Sequence, residues 1–153
     1  MLKYCFLILG FGAFKFSQPH KPLLPVNANT VMHVIVKGIK ENAGSIRVAI
    51  YDKPENFLQA KKYFISKSTV AGNNNSSQLD FTLPFGDYAV TAYHDINDDH
   101  RLDQNYLGVP TEPYALSNNI NVKWRKPTFE ETKITLNKTE QTVYLELKKW
   151  KER

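Results

Sequence analysis

Short segments in which apolar and polar residues alternate constrain the fold of this chain most. The alternation is clearest at 31–39, 45–51, 79–83 and 88–92, where β-branched and aromatic residues are also frequent. A period of two places successive side chains on opposite faces of a strand, so each segment can bury one face and expose the other. No segment shows a sustained helical period. The chain is therefore predicted to be all-β.

Turn residues between these segments suggest how the strands are connected. Gly44 precedes the second strand, and Asn137-Lys138 separates two further segments at 133–136 and 142–147. We predict a hairpin at each of these turns. With another short strand at 63–70, about seven strands result. Their natural solution is a single antiparallel β-sandwich of immunoglobulin-like or transthyretin-like type.

The first 28 residues are predicted to be a signal peptide and leader, and residues 29–153 a β-sandwich domain. Lys3 precedes an apolar run at 4–14, which is the pattern of a secretory signal and is short for a membrane span. We therefore expect a periplasmic or secreted protein, attached to a membrane only if the leader is not cleaved. The single cysteine, Cys5, lies in this leader, which excludes cysteine nucleophiles and disulfides from the remainder.

The net charge does not favour a nucleic-acid partner. The formal charge is +5, but residues 1–28 contain three lysines and no acidic residue, which leaves +2 for the rest. A nucleic-acid interface needs a denser basic face, and we expect none.

An ordered series of motifs resembles a family of secreted bacterial proteins of unknown function. In one-letter code it reads LPxGxYAV at 83–90, HDxNxD at 94–99, LDxN at 102–105, LGxPxE at 107–112 and SNN at 117–119. The first motif is also similar to the turn and strand of transthyretin-like and carboxypeptidase-regulatory-like sandwiches, where a tyrosine hydroxyl binds back to the preceding turn. The resemblance implies an exported sandwich and no established activity.

The acidic segment 95–105 is a candidate calcium site. It contains four carboxylates and two asparagine amides, and calcium takes six to eight oxygen ligands. The predicted ligands are Asp95, Asn97, Asp99 and Asp103, although His100 stands where an EF-hand loop has glycine. Two alternatives remain: a hydrated turn whose short polar side chains bind their own backbone, with Arg101 neutralising part of the charge, and a zinc site that uses His94 and His100.

The segment that follows is long for a connection in a small domain, and such loops are often functional. It contains aromatic and polar residues that can contact a sugar or a protein. The predicted ligand or partner residues are Asn105, Tyr106, Glu112, Tyr114, Ser117, Asn118 and Trp124.

These residues predict a non-enzymatic binding or interaction module. If the acidic segment binds calcium, the ion would stabilise this module. Its partner would be an envelope protein or a glycan. No nucleophile elbow, phosphate-binding glycine loop or nucleotide fingerprint is present in the sequence. The alternative is a carbohydrate-binding module or carbohydrate-acting enzyme that uses the 103–124 face, with Asp103 or Glu112 as an acid. A structural component of a larger surface assembly is a third possibility.

Overall fold

The computed structural model describes residues 29–72, 74–121 and 125–150. The predicted leader and Trp124 lie outside these residues. The described chain contains eight strands, one short helix and two 3₁₀ turns at Pro54–Asn56 and Ser117–Asn119. The elements are β1 Asn29–Lys37, β2 Ser45–Tyr51, β3 Ile65–Val70, β4 Ser76–Pro84, β5 Gly86–Asp95, β6 Tyr114–Leu116, α1 Phe129–Thr132, β7 Lys133–Leu136 and β8 Glu140–Glu146.

The strands form two sheets. One has the order β4-β1-β8, and the other has the order β3-β2-β5-β6, with β7 also paired to β5. Strands β6 and β7 lie end to end along one edge of β5, because β6 pairs with residues 91–93 and β7 with residues 86–89. The prediction of an all-β sandwich is confirmed. One pairing differs from the antiparallel expectation, since β1 and β8 run parallel.

The core lies between the two sheets and follows the alternation seen in the sequence. The inward residues of β1, β2, β4 and β5 are almost fully buried, and they belong to one apolar cluster. Burying one face of every central strand removes apolar area from water at about 25 cal/mol per Å², which holds the sheets together. The largest buried side chains include Phe81, Met32, Ile46, Ile50 and Leu83.

Both predicted hairpins are wrong. Strand β1 pairs with β4 and β8, whereas β2 pairs with β3 and β5, so the turn before Gly44 crosses from one sheet to the other. The turn at Asn137-Lys138 also crosses, since β7 pairs with β5 and β8 with β1. In each case the apolar face of a strand points into the core whether the next strand lies in the same sheet or in the opposite one.

The outer face of the larger sheet carries a second, smaller apolar cluster. Tyr51, Ala89 and Phe129 are buried there, and Phe57 packs against them. The Phe57 ring meets the rings of Tyr51 and Phe129 edge to face, at centroid distances of 5.5 Å and 6.0 Å. The loop after β2 and helix α1 thus cover one half of this sheet, and they leave the half nearest the end of β5 for polar residues.

Two hydrogen bonds from side chains to backbone carbonyls add local contacts to the sheets. The Tyr88 hydroxyl donates to the Pro84 carbonyl at 3.0 Å, which confirms the predicted bond from this tyrosine to the preceding turn. Lys67 of β3 donates to the Asp80 carbonyl of β4 at 2.5 Å and thereby covers part of an exposed sheet edge. Among the described helices, none is long and apolar enough to cross a membrane.

Candidate functional site

The β5–β6 loop, residues 96–113, begins at a buried ion pair. Asp95 is the last residue of β5 and is fully buried. Its Oδ2 atom accepts a hydrogen bond of 2.5 Å from Nε of Arg47, which lies on the neighbouring strand β2. Arg47 is directly opposite Tyr93 and therefore diagonal to Asp95 on the outer face of the sheet. The charge of Asp95 is thus neutralised by Arg47 rather than by Arg101.

Asp95 also organises the backbone of the loop. Its Oδ1 accepts from the N–H of Asp99 at 3.2 Å, and its Oδ2 accepts from the N–H of His100 at 3.0 Å. The Arg47 guanidinium contacts Nδ1 of His100 and lies 3.8 Å from Oδ1 of Asp98. One buried carboxylate and one arginine therefore fix the first turn of the loop.

Glu112 fixes the same loop from its other end. It is buried, and its two oxygens accept from the backbone N–H groups of Ile96 at 2.8 Å and of Asp103 at 3.1 Å. Burial raises the pKa of Glu112; the two N–H donors oppose this shift, and the carboxylates of Asp103 and Asp95 add to it. Glu112 therefore joins the start and the middle of the loop as a backbone acceptor.

The exposed polar residues of the loop mostly bind their own backbone. Asn97 accepts from the N–H of Asp99 at 3.2 Å, Asp99 from the N–H of Arg101 at 2.8 Å, and Asn105 from the N–H of Leu107 at 2.9 Å. Each is an Asx turn, in which the side-chain oxygen bonds an N–H two residues later. These bonds match the hydrated-turn alternative for the acidic segment.

The predicted metal ligands lie in one loop but are used differently. Asp95 is occupied by Arg47 and backbone donors, while Asn97 Nδ2 donates to Oδ2 of Asp103 at 3.2 Å. Within the described residues, no group of three or more His, Cys, Asp or Glu side chains is arranged to hold a metal. Asn97 and Asp99 each accept a backbone N–H through a side-chain oxygen, so the predicted ligands already have partners within the loop.

His94, offered with His100 as a zinc alternative, is buried near the end of β5. Its Nε2 donates to the Ala43 carbonyl at 2.8 Å, because a carbonyl can only accept. His100 is exposed and contacts Arg47. The two imidazoles therefore have separate structural partners.

The loop tip, residues 105–108, presents two apolar side chains to solvent. Tyr106 is 94% exposed and Leu107 is 70% exposed. The backbone beneath them is closed by hydrogen bonds between Asn105 and Val109 and from Gly108 to Asn105, each of 2.9 Å, and by the Asn105 side chain. Two large apolar groups are thus held on an ordered turn rather than on a loose segment.

A groove of about 490 Å³ lies beside the loop tip. It runs between the part of the loop after its tip and residues 149–150, which follow β8. Backbone hydrogen bonds between Tyr114 and Lys148, each of 3.2 Å, hold that chain end against β6. The groove is lined by Asn105, Leu107, Val109, Pro110, Thr111, Lys149 and Trp150.

The other predicted partner residues lie away from the tip. Tyr114 is half-buried in β6. Ser117 is fully buried, accepts from the N–H of Val90 at 3.0 Å and donates to the Thr132 carbonyl. Asn118 donates to the carbonyls of Glu131 and Lys133. Ser117 and Asn118 thus join β6 to helix α1 and β7, and Trp124 falls outside the described residues.

Several residues of this region were not among the predicted site residues, and four of them bear on the argument. Arg47 is 48 positions before Asp95, and only strand pairing brings them together. Leu107 and Trp150 line the groove. Asn119 accepts from the N–H of Glu146 and donates to the Tyr144 carbonyl, so it caps the edge of β8. Leu107 had a signal in the sequence, as an apolar residue between polar ones next to Tyr106.

One comparison with known proteins gave a match. A family model described as "Uncharacterized protein conserved in bacteria (DUF2141)" matches residues 34–144, which extend from β1 to β8 and include the whole β5–β6 loop. No curated protein and no solved structure matches the chain. The match confirms the predicted resemblance to a bacterial family of unknown function.

Proposed function

The chain belongs to the bacterial family DUF2141, whose description names no activity, and on this premise we propose that it is a non-enzymatic binding module. Its contact surface is the loop tip and the adjacent groove. Its partner is an envelope protein, in keeping with the export expected from residues 1–28.

The exposure of Tyr106 and Leu107 carries this proposal. Tyr106 and Leu107 are 94% and 70% exposed and adjacent to one another, and contiguous exposed apolar side chains mark interaction sites more often than isolated ones do. Tyrosine is enriched among the residues that contribute most to binding free energy. The adjacent groove lets a partner contact Tyr106 and the groove at the same time. Val109, Pro110 and Trp150 extend the apolar surface into that groove.

The order of the loop also supports binding. Asp95 and Glu112 hold its backbone from two sides, and Asn105 holds its tip. A surface that is already ordered loses less conformational entropy on association, so more of the contact energy appears as affinity.

The alternative of a carbohydrate-acting enzyme receives less support from the same geometry. Glu112 is buried, with each oxygen accepting a backbone N–H, and Asp103 accepts from Asn97. A general acid must instead reach the leaving group of a substrate. The two carboxylates are better explained as supports of the loop.

We expect Tyr106→Ser and Leu107→Ser each to weaken binding of the partner without changing the free energy of unfolding. Tyr106→Ser and Leu107→Ser each remove an exposed apolar anchor, and the loss of such an anchor lowers affinity by about 30-fold, or about 2 kcal/mol. Photo-crosslinking from position 106 in intact bacteria would identify the partner. Titration of that partner by calorimetry would then measure each variant.

Val70→Ser is the matched control, because Val70 is 76% exposed but lies on edge strand β3. It should bind like the parent chain. Equal affinity of the parent, Tyr106→Ser and Leu107→Ser would contradict the proposal. Binding to a glycan array that is lost in Tyr106→Ser would instead assign the surface to a sugar.

We propose calcium as the cofactor of the loop, supported by the oxygens of the exposed residues Asn97 and Asp99 and of the half-buried Asp103. Since Asp95 is paired with Arg47, we expect a weak site of about 1 mM, in the range of extracellular modules. At about 10 mM calcium, mass action would stabilise the fold by about 1.4 kcal/mol. Thermal melts in calcium and in EGTA measure this stabilisation as a shift in Tm. Asp103→Asn should lose the shift. Identical melts of the parent chain in the two solutions would reject calcium binding.

A further inference from the structure

His33 connects all three strands of the smaller sheet. It lies on β1, the central strand, with Asp80 of β4 directly across from it. Nδ1 of His33 is 2.7 Å from Oδ1 of Asp80, and Nε2 is 2.9 Å from Oε1 of Glu140, the first residue of β8. Both nitrogens of one imidazole therefore face a carboxylate oxygen.

This geometry requires a particular protonation state. Ionised carboxylates only accept hydrogen bonds, and a neutral imidazole carries hydrogen on one nitrogen alone. Both bonds can exist together only when the ring is an imidazolium. In the neutral ring, one carboxylate faces a nitrogen lone pair and is repelled.

We propose that His33 is a pH-responsive clamp that, as an imidazolium, fastens β4 and β8 to β1 and, on losing its proton, releases one of the two carboxylates. The loss of the proton also changes the charge of the three-residue cluster from −1 to −2. The clamp lies on the outer face of the smaller sheet and shares no residue with the β5–β6 loop.

Most groups around His33 favour the imidazolium, and one contact opposes it. From β4, Asp80 faces the ring, and the Gln78 amide nitrogen donates to the same carboxylate oxygen at 2.9 Å. That nitrogen also lies 3.4 Å from Nδ1 of His33, where it can donate only to the neutral ring. From β8, Glu140 faces it. Lys67 of β3 bonds the Asp80 backbone and lowers the pKa of the Asp80 carboxyl as a minor cause, after the hydrogen bond from His33. The bonds to Asp80 and Glu140 raise the pKa of His33 above 6.5.

The sign of the effect on stability follows from that direction. A histidine whose pKa is higher in the folded state contributes stability that is fully present below its unfolded value of 6.5. This contribution is lost as pH rises through the raised folded pKa. The sheet should therefore be held more firmly on the acidic side of neutrality than on the alkaline side.

The direct test is a titration of the His33 imidazole by NMR. In the parent chain we expect its pKa above 6.5, and we expect Asp80→Asn and Glu140→Gln each to lower it. The double variant should lower it further than either change alone. A His33 that titrates at or below 6.5, or that is unaffected by both substitutions, would overturn the proposal.

Urea unfolding as a function of pH supplies the second measurement. We expect the free energy of unfolding of the parent chain to fall between pH 6 and 9 relative to that of His33→Gln, whose amide can donate and accept but does not titrate. If the difference in the free energy of unfolding between the two chains stays constant over this pH range, the clamp is contradicted.

Discussion

Replacing Arg47 by alanine is expected to lower the free energy of unfolding by about 3 kcal/mol, the lower end of the range for removing one partner of a buried ion pair, because the Arg47 side chain is 21% exposed. Asp95 is fully buried, and Arg47 donates to it at 2.5 Å. Without the guanidinium, the carboxylate keeps only the N–H groups of Asp99 and His100. These dipoles do not replace a full positive charge beside a carboxylate that has no exposed surface of its own.

The same variant should loosen the β5–β6 loop. Arg47 also contacts His100 and lies within 3.8 Å of Asp98, so its loss removes contacts along the first turn. Hydrogen exchange should therefore accelerate at the amides of residues 96–103 by more than the loss of global stability explains. The amides of β1 should accelerate only as much as global unfolding predicts. Urea unfolding gives the free energy, and exchange shows where the loss begins.

Two further variants separate the ion pair from a general effect of losing an arginine. Arg101→Ala changes an exposed arginine of the same loop and should alter stability by less than about 0.5 kcal/mol. Arg47→Ala combined with Asp95→Asn removes the uncompensated charge and should recover part of the loss. A double variant no more stable than Arg47→Ala alone would contradict the argument.

The sequence was sufficient for the buried faces of the strands. Met32, Val34 and Val36 share one parity in β1, and all three are fully buried. His94 continues the inward parity of β5 and is buried as well. Alternation predicts which side of a strand is covered because the two faces of a pleated strand are geometrically distinct.

Alternation does not predict which strands pair. The turn that ends at Gly44 and the turn at Asn137-Lys138 both suggested hairpins, but both cross between the sheets. A turn of this length can return a strand to its neighbour or to the opposite layer. Packing of both inner faces decides between the two outcomes, and this information is spread over the whole chain.

The acidic segment shows a similar limit for the candidate site. Its composition indicated oxygen ligands for a metal cation. In the structure, Asp95 is instead paired with the guanidinium of Arg47 from another strand. No local spacing connects residues 47 and 95, because their proximity results from the β2–β5 register. Calcium binding by the remaining oxygens stays a prediction.

Gly44→Ala is expected to be the other strongly destabilising change, because Gly44 lies where β2 meets the start of the β5–β6 loop. Its φ is +73°, a left-handed conformation that costs a residue with a Cβ about 1–2 kcal/mol. A Cβ there would also lie 2.0 Å from the Asp95 carbonyl oxygen and 2.8 Å from Cα of Ile96. These are backbone atoms, which cannot rotate away, so overpacking adds about 1–3 kcal/mol.

Gly72→Ala provides the matched control for this substitution. A Cβ at Gly72 meets nothing within 4 Å, so the change should be neutral or slightly stabilising, by about 0.4–1 kcal/mol, through the unfolded chain. Urea unfolding of both variants measures the difference. Since the displaced atoms belong to Asp95 and Ile96, Gly44→Ala should also disturb the amide signals of residues 96–103. Equal stability of the two variants would mean that the backbone of β5 does not approach Gly44 this closely, and the placement of the whole loop would then need revision.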